Sequence, residues 1–177
     1  PYSERLYALI SPASIHSSTI PPLALERLEP TLKACRREYC GVVIDAPRVS
    51  AEMASILVRA SDLTLLVMQL TVKDLRVAHT MLNALSKSGV GTERIRLIVN
   101  RYCKRHQMIT LEEAGKALGG MPLKCLSNDF IGAVRGLNYG KLLAQVAPRS
   151  ILRRELVEFA GSLFQLPAKR NGNAQGS

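Results

Sequence analysis

A carboxylate ends a run of apolar residues in the segment "YCGVVIDAP" (39–47). A continuous Val/Ile run is typical of a strand that is buried on both faces of a parallel sheet. Ligands of open α/β sheets bind just beyond the carboxyl ends of the strands, and Asp45 stands at such an end because Pro47 cannot continue a central strand. Asp45 is therefore a candidate ligand-binding residue. The alternative is that Asp45 begins an ordinary turn.

The densest group of basic residues, "RYCKRH" (101–106), also follows an apolar run. Cys103 and His106 have the spacing of one half of a zinc site, but no second pair of ligands lies near them in the sequence. We therefore predict that the basic side chains of this loop serve an interface, where arginine binds anions in bidentate fashion. The four cysteines are unevenly spaced and are interpreted as reduced thiols of a cytosolic protein.

Five short apolar runs have the length and composition of strands. They are residues 6–11, 41–45, 63–69, 95–100 and 122–127. Segments with apolar residues at helical spacing lie between these runs and after the last one. The regular alternation of strand and helix predicts an α/β fold of three layers, a mostly parallel sheet with helices on both faces and right-handed crossovers.

Residues that favour helix ends support these helices. Ser50 precedes a helical segment and is a good N-cap, and Thr110 and Glu113 have the spacing of a capping box. Gly89 suits the C-cap of the long helix that precedes it. Within the first helical segment, Pro30 predicts a kink or a restart.

The bulk composition is that of a globular chain, with 47% apolar and 21% charged residues among 177. We predict one domain over residues 1–166 and a disordered tail over residues 167–177, where almost nothing can be buried. Membrane insertion is not expected, because Asp45, Asp62 and Lys73 interrupt the longest apolar stretches. The chain begins at Pro1 without a methionine, which we interpret as a processed chain or a fragment.

The net charge of +10 and the pI near 9.9 leave three kinds of partner open. Sequence-independent contact with DNA, an anionic membrane surface and an acidic protein all use such a charge. The last predicted helix, from about Ser150, carries an apolar stripe beside two arginines that could lie on a membrane. The stripe consists of Leu152, Leu156, Phe159, Leu163 and Phe164. We predict that it packs on the sheet instead, because the opposite face carries Glu155 and Glu158.

Taken in order, four segments resemble the later part of ParA/MinD-type deviant Walker ATPases, and among these the pilus-assembly and localisation branch called CpaE or TadZ. The segments are "YCGVVIDAPR", "ASDLTLLVMQLTVKDLRVAHTML", "RIRLIVNR" and "LSNDFIGAVRGLNYGKLL". The resemblance covers residues 6–164 and rests on the order of these segments more than on any single motif. It implies an incomplete SIMIBI-type P-loop NTPase fold, ATP and Mg²⁺ as cofactors, and a homodimer.

The resemblance also implies roles for five residues. Asp45 corresponds to the catalytic carboxylate that orients the attacking water and touches the metal indirectly, through Mg²⁺-bound water. Asn100 corresponds to the side chain that contacts the adenine edge, and Arg101 follows it on the side of the nucleotide and the dimer partner. Asn128 and Asp129 follow the strand where the family lines the base pocket with backbone. A strand-end turn at Asn100 and a helix N-cap at Asn128 and Asp129 are the alternatives.

Two features depart from the family pattern. The sequence contains no G-x-x-x-x-G-K-[ST] loop and no "KGG-x-GKT" variant, and its nearest lookalike, "SKSGVGTERI" (86–95), joins a helix to a strand in the reverse of the required order. We expect the phosphate loop and its central strand to precede this segment, so that the runs 41–45 and 63–69 would each have an unpaired edge. The second departure is Ser127, which stands where a proline is usual.

The sequence thus predicts the C-terminal portion of a CpaE/TadZ-like ATPase homologue. Such a protein would dimerise with ATP and help to place a pilus or secretion assembly at the cell pole, in the cytoplasm or at the inner face of the membrane. The parent protein is expected to be an ATPase, and this chain alone is expected to be inactive. One alternative is a nucleotide-free scaffold that interacts through its surface. Another is a ParA-type DNA-partitioning ATPase that binds DNA through its positive charge.

Overall fold

The computed structural model describes residues 6–8, 25–47, 49–105 and 107–164. The chain divides into two compact units, Pro1–Asp45 and Ala46–Ser177. Half of the first predicted strand (9–11 of 6–11) and the whole predicted tail (167–177) lie outside the described residues, and Leu6 forms an isolated β-bridge.

The described part of the first unit is built around one helix, α1 (Leu25–Glu38). The helix continues past Pro30, so the predicted restart is wrong. Pro30 lies on the exposed side of the helix, where water can take the place of the hydrogen bond that proline cannot donate. The chain after α1 begins with a turn in which the backbone N–H of Tyr39 donates to the carbonyl of Cys35 at 2.9 Å.

The run 41–45 is not a strand, and this prediction is wrong. It has no strand ladder among the described residues, and the side chain of Val43 is 95% exposed. The three strands that do pair all belong to the second unit. An apolar run becomes a buried strand only when neighbouring strands satisfy its backbone donors and acceptors, and composition alone does not supply those neighbours.

The second unit contains three parallel strands in the order β1-β2-β3, with β2 in the centre. Its elements are α2 (Ala51–Ala60), β1 (Thr64–Met68), α3 (Val72–Lys87), a 3₁₀ turn (Thr92–Arg94), β2 (Ile95–Tyr102), α4 (Leu111–Ala117), β3 (Leu123–Ser127), α5 (Phe130–Tyr139), α6 (Leu143–Val146) and α7 (Ile151–Phe164). Helices alternate with the strands, as parallel pairing requires. The predicted α/β class and parallel sheet are confirmed.

Side chains are buried on both faces of this sheet. Leu97 and Val99 of β2 point to one face, where they join the main core cluster with residues of α2, α3 and α4. Ile98 and Leu126 point to the opposite face because side chains alternate along a strand, and they too are buried, although they lie outside that cluster. The sheet is therefore the middle of three layers, as the sequence predicts.

The helix ends follow the local signals in the sequence. The side chain of Ser50 accepts a hydrogen bond from the N–H of Met53 at 3.2 Å, and Thr110 and Glu113 form both bonds of the capping box. Gly89 and Gly140 follow α3 and α5 with positive φ angles of 74° and 58°, which glycine adopts without the steric cost of a Cβ. These predictions are confirmed.

The terminal helix α7 packs against β3, as predicted, but its stripe is not a fully buried core. Leu152, Phe159 and Leu163 are half-buried, and Leu156 is exposed. Among the described residues, no helix combines the length and the apolar character needed to cross a membrane.

The two outer strands, β1 and β3, pair only with β2 in the described part of the chain. The sequence predicts such an unpaired edge at the run 63–69, which contains β1. An unpaired strand edge favours the addition of another strand. Leu65 and Val67 of β1, which share the sheet face of Ile98, are 38% and 56% exposed.

Candidate functional site at the carboxyl ends of β2 and β3

The strand β2 contains a bulge where the candidate residues begin. From Val99 to Tyr102 there are three steps along β2, whereas their partners Cys125 and Ser127 are two steps apart along β3. The extra residue turns Arg101 into the left-handed region, with a φ of 54°. This conformation costs a non-glycine residue about 1–3 kcal/mol, and such strain is concentrated at functional sites. Bulges also re-aim side chains next to active sites.

The bulge is stabilised locally by Asn100. Its side-chain oxygen accepts a hydrogen bond from the backbone N–H of Arg101 at 2.9 Å, so the predicted turn-forming role of Asn100 is part of the structure. The amide nitrogen remains as a donor for another molecule. Asn100 is half-buried and Arg101 is exposed. A donor on a half-buried amide beside an exposed guanidinium suits a ligand with acceptor atoms and negative charge.

The end of β3 is fixed to the bulge by a backbone hydrogen bond. The N–H of Asn128 donates to the carbonyl of Tyr102 at 3.0 Å, which extends the β2–β3 pairing past the last ladder pair. The structure therefore brings Asn100 and Asn128 to the same end of the sheet. Asn128 is exposed, and its side chain is accessible to a ligand at this edge.

Asp129 caps the helix that follows. Its carboxylate accepts a hydrogen bond from the N–H of Gly132 at 2.9 Å. The Ser150 hydroxyl first, and then the Gly132 N–H, hold the pKa of the Asp129 carboxyl below its ordinary value because they stabilise its charged form. The N-cap alternative is thus correct for Asp129, and a contact between Asp129 and a base remains a prediction.

Sequence reasoning missed Glu155 of α7, which reaches this end of the sheet. Its two carboxylate oxygens accept from the backbone N–H and the hydroxyl of Ser127, at 2.6 Å and 2.7 Å. Burial, and then the neighbouring Glu155 carboxylate, raise the pKa of the Cys125 thiol. The sequence places Glu155 only on the polar face of an amphipathic helix, and nothing local relates it to a residue 28 positions earlier.

Asp45 belongs to the first unit and is described by itself. It follows the exposed run 41–44 and is itself exposed. The described residues contain no group of three or more His, Cys, Asp or Glu side chains placed to hold a metal ion. The indirect contact of Asp45 with Mg²⁺ is a prediction that no contact in the structure tests.

The basic loop after β2 is exposed at Cys103, Lys104 and Arg105, and His106 lies outside the described residues. The zinc alternative needs that histidine, so the described residues do not test it. The exposed cations continue the positive charge of Arg101 along the same side of the sheet end.

A shallow cleft of about 270 Å³ lies away from these residues. Its lining includes Arg59, Arg94 and the segment Gly89–Val90–Gly91. This segment leads from α3 to the amino end of β2, so the glycine-rich lookalike joins a helix to a strand, as the sequence predicts. A phosphate loop instead leads from the carboxyl end of a strand into a helix. The cleft is not the candidate site.

The fold of this chain is shared with other solved proteins. Its described part has an α/β fold like that of solved ParA and MinD structures, and polar side chains lie at the carboxyl edge of its parallel sheet. Neither a family model nor a curated protein matches the amino-acid sequence.

Three solved structures share the fold. A ParA family ATPase from Chlorobium tepidum has a TM-score of 0.64 and 24% identity, over 77% of this chain and 56% of that chain. The septum site-determining protein MinD from Pyrococcus horikoshii, solved with Mg-ADP, has a TM-score of 0.64 and 21% identity, over 80% and 57%. A chain of the MinC:MinD cell division complex from Aquifex aeolicus has a TM-score of 0.65 and 20% identity, over 82% of this chain and 62% of that chain. This chain therefore spans less than two thirds of each.

The candidate residues fit one end of a nucleotide and not the other. The half-buried amide of Asn100 offers donors at the carboxyl edge of the sheet, which suits the acceptor atoms of a base. The phosphates need converging backbone N–H groups and an ammonium, and no segment of this sequence has that pattern. The residues at this edge therefore suit a base and not the phosphates, and contact with a base stays a prediction.

Proposed function

We propose that this chain is the C-terminal portion of a ParA/MinD-type ATPase of the CpaE/TadZ branch, and that the carboxyl ends of β2 and β3 bind the base of its nucleotide. The observation that carries the proposal is the joint position of Asn100, Arg101 and Asn128 at one sheet edge, in a fold shared with solved ATPases of this type. The MinD structure that shares the fold contains Mg-ADP, which supports a magnesium nucleotide as the ligand.

In this proposal each residue has a separate task. The amide of Asn100 donates to the base, and the bulge holds that amide at the edge of the sheet. Arg101 supplies positive charge toward the phosphates or a second subunit. Asp45, as the family likeness implies, would contact Mg²⁺ only indirectly and would orient a water of its hydration shell.

In the described part of the chain the outer edge of β1 is unpaired, which leaves room for a further strand in a longer parent protein. Such a strand would satisfy the free backbone groups of β1 and could bring a phosphate loop to the same end of the sheet. The parent would dimerise with ATP, act in the cytoplasm or at the inner face of the membrane, and help to position a pilus or secretion assembly at the cell pole. These steps depend on the family likeness, and the homodimer and the assembly proteins are its proposed partners.

The proposal predicts weak but local binding of adenosine monophosphate (AMP) to this chain. In ¹⁵N NMR spectra, millimolar AMP should shift the amide signals of Asn100, Arg101 and Asn128. Replacing Asn100 by Ala should weaken binding about tenfold, because a donor to the base is lost. Asn83→Ala is the matched control, since Asn83 lies exposed on α3 beside His79. Absent shifts, or shifts at the distant cleft beside Arg94, would contradict the proposal.

A nucleotide-free scaffold is the second candidate. The observation that favours it is the sequence, which contains no glycine-rich phosphate loop. The AMP titration separates the two functions. In a scaffold that binds no nucleotide, we expect AMP to cause no shifts at Asn100, Arg101 and Asn128. DNA partitioning, the third reading, rests on the net charge of +10 and requires DNA affinity that falls steeply with added salt.

A further inference from the structure

A carboxylate on α7 is hydrogen-bonded to the loop after β3. The two oxygens of Glu155 accept from the N–H and the hydroxyl of Ser127. We call this pair of hydrogen bonds the α7 latch. It holds the residue directly before Asn128 in the chain.

The latch is well placed to hold this loop. Ser127 and Glu155 are both half-buried, and hydrogen bonds to an ionised carboxylate are shorter and stronger than those between neutral groups. Asn128, the next residue, is bonded through its N–H to the carbonyl of Tyr102 in β2. The backbone at Ser127 and Asn128 is therefore held from two directions, by α7 and by β2.

We propose that the α7 latch positions the base-binding edge, and that Glu155 is a positioning residue that acts through Ser127. The inference rests on the proposed function, because it assigns the fixed loop to the base of a nucleotide. It also gives a reason for serine at position 127. A proline there would have neither an N–H nor a hydroxyl for Glu155, so the latch and the proline of the family pattern exclude each other.

A consequence is that α7 and the base site are coupled. A ligand that bonds to Asn128 stabilises the conformation that the latch holds, and loss of the latch weakens the ligand by the same factor. The helix α7 carries exposed apolar side chains at Ile151 and Val157. The coupling would therefore connect the base site with an exposed apolar surface of α7.

The first test measures the loop without any ligand. Amide hydrogen exchange should be compared by NMR in the unchanged chain, in Glu155→Ala and in Glu155→Gln. Glu158→Ala is the matched control, an exposed carboxylate on the same helix. Glu155→Ala should speed exchange at Ser127 and Asn128 about tenfold or more, with Val99 in the core unchanged. Glu155→Gln keeps one acceptor oxygen, so its exchange rates at Ser127 and Asn128 should lie between those of the unchanged chain and of Glu155→Ala. If Glu155→Ala does not fold, Glu155→Gln takes its place in the comparison.

The second test asks what the loop is positioned for. AMP and guanosine monophosphate (GMP) should be titrated into the same variants. We expect Glu155→Ala to weaken AMP binding about tenfold and to weaken GMP binding less, so that the ratio of the two affinities falls. A general loss of stability would weaken both nucleotides alike and would leave the ratio unchanged.

Each outcome decides a different point. Unchanged exchange at Ser127 and Asn128 in Glu155→Ala would show that no latch operates and would overturn the inference. Faster exchange with an unaltered AMP-to-GMP ratio would overturn the positioning role while the proposed function stood. A lack of AMP-induced shifts in the unchanged chain would refute the proposed function, and the inference would fall with it.

Discussion

At the residue scale, the candidate site depends on a few polar atoms with defined partners. The oxygen of Asn100 bonds to the N–H of Arg101, and the carboxylate of Asp129 is occupied by the cap of α5. The place of these residues at the end of the sheet could be predicted, because they follow apolar runs. The bulge at Arg101 could not be predicted, because it depends on the register between β2 and β3. The contact of Glu155 could not be predicted either, because its partner is distant in the sequence.

Stability should depend on pH through two capping carboxylates. Bonds from the backbone and side chain of Thr110 lower the pKa of Glu113, and the pKa of Asp129 is lowered as well. A carboxyl with a depressed pKa in the folded state stabilises the fold above its unfolded pKa, and this stabilisation is lost as pH falls through the folded pKa. The free energy of unfolding should therefore decline below about pH 4.

Urea unfolding at a series of pH values measures this decline. Glu113→Gln and Asp129→Asn retain capping ability but do not titrate, so each should flatten the pH dependence. Glu158→Gln, on the exposed side of α7, is the control for the loss of one carboxyl. A decline of the same slope in all variants would show that other groups cause it.

At the element scale, helix ends were predictable and strand pairing was not. The bonds of Ser50, and of Thr110 with Glu113, span three residues, so the sequence contains both partners in one short window. A strand requires a neighbour at an unknown distance along the chain. The run 41–45 has the composition of a buried strand and no ladder in the described residues, whereas the similar run in β1 pairs with β2.

Two helical glycines should respond in opposite ways to alanine. A Cβ at Gly136 of α5 would lie 2.9 Å from the backbone oxygen of Lys141, whereas a Cβ at Gly161 of α7 would meet nothing within 4 Å. Alanine is favoured over glycine inside a helix by about 1 kcal/mol. Gly161→Ala should therefore raise the free energy of unfolding by about 0.4–1 kcal/mol, and Gly136→Ala should lower it.

Chemical denaturation of the two variants beside the unchanged chain gives the comparison. A gain in both would mean that the turn after α5 moves easily to accept a methyl group. A loss in both would mean that α7 has a neighbour at Gly161 in solution.

At the scale of the whole molecule, the sheet determines which part of the proposed nucleotide site this chain can form. The order of apolar runs predicted the parallel strands β1, β2 and β3, because a parallel sheet repeats one pattern of strand and helix. The unpaired edge of β1 in the described part of the chain could be predicted only through the family resemblance. Composition does not show which strand lies beside which, and the observed pairing of β1 with β2 and of β2 with β3 supplies that information.

The last prediction concerns hydrolysis by this chain of 177 residues. Phosphoryl transfer depends on positioning and on neutralising the charge of the transferred group, which a phosphate loop and its lysine perform. Asn100 contacts at most a base, and Asp45 at most a water. We therefore expect release of phosphate from Mg-ATP to equal that of buffer, both in the unchanged chain and in Asp45→Ala. Turnover that disappears in Asp45→Ala would show instead that this chain assembles a complete site, for which its own basic residues would have to cradle the phosphates.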